Sequence, residues 1–413
     1  MDCITFQALW KELDVRVFSK LIPIIDVDKY IKKLSAYRFL QLLIFAQINE
    51  IDSLTAMAKH VKDTKELHTE LELDAISTSQ LSRKLKHLSP SLFETIFHHL
   101  VQTIQRQLQA TPTVEQIRRL HIIDSTTMSM CIGQYPWATF RKTKAGVRLH
   151  LRVVVQNDMT IPDRGVLLPA KHADRTQMEE LITYDEEAIY LFNRGYVDYQ
   201  QFDRLCEEGI SFITRLKDNA IVEVWNEQRP DDESMMRDQE GVLGTNKTKM
   251  KHPLRLIQTK DSEGTVIVLV TNCFDRSAKE IADLYRCRWK IETFFKWMKQ
   301  HLRIKRFWGT SENAVYTQIW VALITYCLQV LLQVKTGYKG TLLEVKRTIR
   351  LLLFQPFSEV IRSLFRKPSR KSKGRRTYRW VEEFERIEQQ WVEGEVEHLD
   401  ELEYDPIFLA PWK

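Results

Sequence analysis

The stretch Leu284-Tyr-Arg-Cys-Arg-Trp-Lys-Ile-Glu-Thr-Phe-Phe-Lys-Trp-Met-Lys299 reads as one amphipathic helix with two unlike faces. Tyr285, Arg288, Glu292 and Lys299 stand at offsets of zero, three, seven and fourteen. At about 100° per residue all four project within about 60° of one another. An apolar stripe of Leu284, Ile291, Phe295, Met298 and Leu302 lies beside them and can bury the helix without using those four. A carboxylate flanked by guanidinium, ammonium and phenol suits a site that holds a metal ion and a phosphate together. That points to nucleic-acid chemistry.

Upstream, Ser277-Ala-Lys-Glu280 is a capping box that opens this helix. From about residue 115 the pattern is strand-like. Leu120–Asp124, Val147–Val155, Ile189–Phe192, Phe212–Leu216 and Val266–Val270 are short apolar runs bounded by polar residues. Tyr199–Glu208 is a helical pattern among them, and residues 217–262, polar and carrying Gly, Pro, Asp and Asn, read as a loop-rich or β insertion. Strands followed by a carboxylate-bearing helix predict an α/β core with an insertion. Metal-assisted phosphodiester chemistry needs carboxylates that converge from separate elements, where two magnesium ions about 4 Å apart act on the attacking and leaving oxygens. Asp124, expected to close its strand ahead of Ser125-Thr-Thr127, is such a carboxylate. Aspartates also end strands in plain loops, so its meaning depends on Glu292.

Residues 1 to about 112 carry repeated 3.6-residue patterns and no strand-like run, Tyr37–Ile48 being one apolar-faced helix. In Ile76–Leu88 the leucines at 81, 85 and 88 face one way and leave Gln80, Arg83, Lys84 and His87 outward. This is the pattern of a helix-turn-helix recognition helix, or of a surface helix whose charges are merely solvated. The C-terminal region also reads as helical. Between Arg362 and Arg379 nine of eighteen residues are Lys or Arg, and Glu382–Asp405 is strongly acidic. The basic run reads either as a phosphate contact or as a solvated linker.

With 413 residues there is room for two or three domains. A hydrophobic share of 44% and a charged share of 28% are those of a globular protein. A net charge of +6 is compatible with a polyanionic partner. The six cysteines are scattered without paired spacing, which disfavours a zinc site or disulfide framework and predicts reduced thiols in the cytoplasm. The start, Met1-Asp2-Cys3-Ile4-Thr5, lacks the features of a signal peptide. Ile319–Val334 is expected to be a buried helix, too short and too interrupted by Gln and Thr for a membrane span.

The Tyr285, Arg288, Glu292, Lys299 spacing resembles the YREK signature of the insertion-sequence-four family of DDE transposases. Leu269-Val-Thr-Asn272 ahead of the helix agrees with it. Leu120-His-Ile-Ile-Asp124-Ser is similar to the strand bearing that family's first catalytic aspartate. Phe192-Asn-Arg-Gly-Tyr196 is similar to the segment bearing the second, and Phe212–Lys217 to the strand after it. The resemblance runs from about 115 to 335. It implies an RNase H-like catalytic domain over 113–335 with a β-rich insertion at about 217–265. An all-helical DNA-binding domain would occupy 1–112, and a helical C-terminal region 336–413. It implies magnesium-dependent cut-and-paste transposition, with Mn2+ able to replace Mg2+, on double-stranded transposon ends and target DNA. A homodimer on DNA, a cytoplasmic, nucleoid-associated location and no membrane follow by the same analogy. Asp124, residue 193 and Glu292 would be the catalytic metal ligands. Tyr285, Arg288 and Lys299 would hold phosphates near the cleaved end and assist a hairpin or flipped base. Trp225 is the candidate to stack on such a base, or else a core residue. Arg83 and Lys84 are the candidate DNA contacts of the helical domain.

The chain departs from the pattern at one position. Where the family has its second aspartate, this sequence has Asn193. The amide keeps the size and one carbonyl oxygen but loses the charge that offsets a divalent cation. DNA binding should survive, and metal affinity and turnover should fall. Asp198 and Asp174 are both expected to be poor stand-ins. The competing function is a non-catalytic DNA-binding protein or repressor acting on the element ends. An RNase H-like nuclease with another substrate would not need the YREK set.

Overall fold

A computed structural model describes residues 3–13, 15–21, 28–29, 31, 33–109, 119–156, 159–185, 187–228, 235–260, 264–302, 304 and 306–366. These fall into two compact units. One holds residues up to Pro112, Cys131–Trp137 and the chain from Lys296 onward; the other holds Thr113–Met130 and Ala138–Phe295. The basic run beyond Arg366 and the acidic Glu382–Asp405 stretch lie outside the described residues.

The second unit is built on a ten-stranded mixed sheet. Its strands are β1 (Arg119–Met130), β2 (Thr139–Arg141), β3 (Lys144–Gln156), β4 (Met159–Pro169), β5 (Ala188–Phe192), β6 (Ser211–Arg215), β7 (Val222–Gln228), β8 (Met235–Leu243), β9 (Leu254–Lys260) and β10 (Val266–Thr271). The order is β2-β3-β1-β5-β6-β10-β9-β8-β7, with β4 also paired to β3. β1, β5 and β6 are parallel neighbours, while β3 and β10 run antiparallel on either side. Within residues 217–262 the β alternative holds: β7, β8 and β9 form an antiparallel meander that continues the same sheet into β10.

One strand expectation needs correction. Asp124 does not close β1, which runs six residues further because β3 stays paired with it as far as Met130↔Ala145. What ends near Asp124 is the parallel pairing with β5, whose last partners are Ile123 and Phe192. Alternation then puts Ile123 and Asp124 on opposite faces of the sheet. On the Ile123 face packs α9 (Tyr199–Glu207), whose Phe202 stacks with Phe192 and Phe212 at ring separations of 6.3 and 4.7 Å. The short α8 (Met178–Leu181) adds Met178 and Leu181 to that core.

The continuous helix expected over 284–299 is broken. α10 (Ala278–Arg286) begins at the Ser277/Glu280 capping box, as expected, but ends at Cys287. α11 (Trp289–His301) starts anew. No proline or glycine marks the break. The chain instead tightens into i→i+3 bonds, from Cys287 N to Leu284 O, Arg288 N to Tyr285 O, and Lys290 N to Cys287 O, each 3.0 Å long.

The other unit is helical: α1 (Thr5–Leu9), α2 (Val15–Leu21), α3 (Ala36–Ile48), α4 (Leu54–Asp63), α5 (Lys65–Leu71), α6 (Thr78–His87), α7 (Ser91–Gln109), α12 (Glu312–Thr336), α13 (Leu342–Leu351) and α14 (Phe357–Leu364). α12 spans 25 residues and is long and apolar enough to cross a membrane, so the expectation that it is too short is corrected. Within the fold 94% of its most apolar window is buried, the state of a core helix. α7, α3, α6 and α13 pack on it. α3 is buried nearly all round rather than on one face, Gln41 and Gln47 included, with only Tyr37 and Arg38 not buried. Ser77 and Gln80 cap α6 reciprocally, and Leu81, Leu85 and Leu88 are buried.

Candidate active site

Beyond the parallel pairing of β1 and β5, the chain leaves two side chains at the same edge. Asp124 is on β1, and Asn193 is the first residue past β5. Asn193 Nδ2 donates to Asp124 Oδ1 at 3.2 Å and to Oδ2 at 3.4 Å. The backbone N–H of Ser125 donates to Oδ1 at 2.8 Å. The break between α10 and α11 delivers Arg288, whose Nη1 lies 3.7 Å from Asp124 Oδ2 and donates to Glu292 Oε1. One guanidinium thus stands between two carboxylates that come from a strand and a helix. All three side chains are largely buried, at 9% exposure for Asp124, 12% for Arg288 and 16% for Glu292. Tyr285 and Trp289 flank the guanidinium, their ring centroids 5.7 and 5.4 Å from its carbon.

Burial raises Asp124 to about 6, against the opposing pull of Arg288 and the Ser125 N–H, with Glu292 adding to the rise. Burial would weaken the charge on Arg288, but Glu292, Tyr285 and Asp124 outweigh it and hold the guanidinium protonated. Burial also raises the Tyr285 phenol, so that group stays a neutral donor.

Among the described residues no group of three or more His, Cys, Asp or Glu side chains is arranged to hold a metal ion. The donor set is two carboxylates and an amide. One feature fits a cation. Glu292 Oε2 is buried with no hydrogen-bond partner, and a buried carboxylate oxygen without a donor is costly unless a cation or water completes it. Asp124 and Glu292 could hold a divalent ion there. Asn193 would contribute a neutral oxygen only after its amide turns, since its NH2 faces Asp124.

The other expected site residues are placed as follows. Lys299 lies seven residues beyond Glu292 along α11, in the segment grouped with the helical unit. Trp225 is 53% exposed on β7, the outermost strand, at a register shift between Val224 and Asn226. Arg83 is exposed on α6. Lys84 is turned inward within the helical unit, donating to Leu34 O and pairing with Asp28 at 3.4 Å. A cavity of about 300 Å3, lined by Phe45, His60, Arg350 and Phe354 among others, belongs to the helical unit. Asp198 caps α9, donating nothing to the site and accepting from Gln200 N and Gln201 N.

Asp174, expected to be a poor stand-in for the second aspartate, sits directly behind this edge. Its Oδ1 accepts from Ser125 Oγ at 3.0 Å and from Arg148 Nη1 at 2.8 Å. His150, buried, bonds through Nδ1 to the Tyr196 hydroxyl at 2.9 Å. Burial holds His150 at about 4 and raises Tyr196 well above the usual phenol range. The period-two spacing of Arg148, His150 and Arg152 on β3 was the available signal, one face of a strand carrying three polar residues.

The chain matches the family described as "Transposase DDE domain" over residues 115–328. It is 30% identical over 253 residues to "Probable transposase for insertion sequence element IS5377" of Geobacillus stearothermophilus, covering 60% of this chain and 66% of that protein. Against "Putative transposase y4zB" of Sinorhizobium fredii the identity is 32% over 245 residues, covering 58% of this chain and 66% of that protein. "Putative transposase for insertion sequence element IS4SA" of Synechocystis is 23% identical over 275 residues, 64% of this chain and 75% of that protein. The chain therefore spans just under two thirds of the length of the first two relatives. The family match covers more than half of the chain, its span takes in Asp124, Asn193, Arg288 and Glu292, and on that ground the chain belongs to the DDE transposase domain family.

Proposed function

We propose that the chain is an insertion-sequence-four transposase that binds the terminal inverted repeats of its element and cleaves and transfers their ends, with turnover impaired by Asn193. The observation that carries this reading is the convergence of Asp124 from β1 and Glu292 from α11 on Arg288. The strand order β4-β3-β1-β5-β6, with β1, β5 and β6 parallel and β3 reversed, supports an RNase H-like core in the part of 113–335 that belongs to the sheet unit, which ends at Phe295. The meander β7–β9 is then the β-rich insertion and 1–112 the DNA-binding domain, while α13 and α14 are the described helices of the C-terminal region.

Asp124 and Glu292 are the residues that would hold magnesium or manganese, which when bound supplies the positive charge that phosphodiester cleavage needs. The chain's own groups do the remainder. Arg288 presents a planar fork able to grip a phosphate of the cleaved end with two hydrogen bonds. Tyr285, neutral and against that guanidinium, steadies its plane and offers a hydroxyl to the DNA. Lys299 adds a point charge further along α11. Trp225, exposed on β7, is the side chain that would stack on a flipped base at a hairpin end. Arg83 is the stronger DNA contact on α6, since Lys84 is committed to Asp28 and Leu34. Two ends must be joined, so a homodimer on DNA is part of the reading.

Asn193 removes one anionic ligand, and its amide donates into Asp124 instead. The expected loss exceeds the roughly 10- to 100-fold typical of residues behind the ligands. The test is magnesium-dependent end cleavage and strand transfer by the chain and by Asn193→Asp on the cognate ends. Gain of cleavage by the reversion supports the proposal. Binding by both with cleavage by neither favours the repressor, and absence of end binding overturns both.

A further inference from the structure

The geometry points to Asp174 as a positioning residue for the carboxylate edge: it sets how the turn bearing residue 193 meets Asp124. This rests on the reading of Asp124 as part of the active centre and adds a residue to it. Asp174 opens a short 3-10 turn between β4 and α8. It touches both arms of the edge, each within two residues of its functional side chain. Oδ1 accepts from the hydroxyl of Ser125, the residue after Asp124. Oδ2 stands against Gly195, two residues after Asn193, so closely that a Cβ built there would be 2.9 Å away.

The carboxylate is itself held from the far side. Arg148 Nη1 bonds Asp174 Oδ1 and, at 3.3 Å, His172 O, while Arg148 Nε reaches Thr127 Oγ1 at 3.2 Å. Thr127 and Ser125 are on the face of β1 that looks at Arg148 and His150, their register partners on β3. The turn is pinned a second time. Tyr196 N bonds Asn193 O at 2.9 Å, and the Tyr196 hydroxyl bonds His150 Nδ1. Asp124 and Asn193 are therefore the outer ends of a bonded frame with Asp174 at its centre. A carboxylate suits this place because one of its oxygens accepts from both Arg148 and Ser125 and its charge pairs with the Arg148 guanidinium. A methyl group at 195 would press on Asp174 Oδ2 and push the carboxylate from its place.

The test reads the Asn193–Asp124 contact directly, in the full chain labelled with 15N-asparagine. The Asn193 side-chain amide signal is assigned by its disappearance in Asn193→Asp. Asp174→Ala and Gly195→Ala are expected to shift that signal and to speed its hydrogen exchange about tenfold. Asp174→Asn should have a smaller effect, because it keeps one acceptor. Asp163→Asn, which breaks the buried Arg152–Asp163 pair elsewhere on β3 and β4, should leave the signal in place and so controls for general loosening. An unmoved signal in Asp174→Ala, or an equal shift in Asp163→Asn, overturns the proposal. A second arm measures Mn2+ affinity by calorimetry in Asn193→Asp with and without Asp174→Ala, with about a tenfold loss expected. If Asn193→Asp alone takes up no Mn2+ while the amide signal responds to Asp174, the positioning role stands and the metal-dependent reading of the site falls.

Discussion

Asn193 sits where a change of charge would be felt strongly, against the buried Asp124. Its amide sits 3.2 Å from Asp124 Oδ1, so Asn193→Asp would place two carboxylates in contact, and two such groups cannot both ionise without a cation between them. Asn193→Asp should therefore melt below the parent chain in EDTA and be raised by Mn2+, while the parent responds weakly; thermal denaturation with and without the metal measures this. Identical responses would remove residue 193 from the centre. Glu50 gives a second case. Its backbone is left-handed at φ 55°, yet its carboxylate takes Lys346 at 2.7 Å and Arg350 at 2.9 Å. Burial alone would raise it, but these two cations bring it to about 2. A depressed carboxylate contributes stability above its unfolded value near 4.5, and that contribution is lost as pH falls towards 2. Glu50→Gln should cost about 3 kcal/mol at pH 7 in urea denaturation, because Lys346 is almost fully buried, and the gap from the parent should close between pH 4.5 and 2. Of these residues the sequence disclosed Asn193, through its neighbours Phe192 and Gly195. Asp174 and Glu50 act through partners 49 and 296 residues away, which no local pattern carries.

Elements were legible where their cause is local. The Ser277/Glu280 box opens α10 as read, and the Ser77 cap and leucine spacing of α6 are as expected, because each depends on residues within one or two turns. The α10–α11 break was not legible, since the periodicity continues through Cys287 and Arg288 while the backbone does not. What the break provides is Arg288, held by Asp124, a residue of a distant strand. β7 gives no strand pattern to read because, exposed at the outer end of the sheet, it carries polar residues on both faces, while the mostly buried β9 breaks its apolar run with Arg255, Gln258 and Thr259. The core elements are the opposite case. α9 is fixed through Phe202, fully buried between Phe192 and Phe212. Phe202→Ala should cost about 3–5 kcal/mol in denaturant unfolding. A loss under 1 kcal/mol would mean that α9 is held by something other than this aromatic stack.

Along the sequence the charge is distributed unevenly, which on the proposed reading bears on how DNA would meet the chain. The chain is net +6, yet between Ile221 and Leu243 there are seven acidic residues and two arginines. Trp225 stands exposed on β7, with Glu223 and Glu227, both exposed, on the same strand. A phosphate backbone laid along this surface would be repelled, so engagement of a base by Trp225 has to rest on stacking, and the electrostatic hold on DNA has to come from elsewhere. Two variants separate the roles. Arg83→Ala removes one cation from the exposed face of α6, so a phosphate contact there predicts a fall of about 0.9 in the slope of log affinity against log salt. Glu227→Gln removes one repulsion beside Trp225. If the hairpin approaches DNA, binding of the cognate end should tighten about twofold at low salt, and Trp225→Ala should abolish that gain. Fluorescence anisotropy from about 50 to 200 mM salt reads all three. Should Glu227→Gln and Trp225→Ala both bind as the parent does, the acidic meander faces away from DNA and Trp225 leaves the set of DNA contacts.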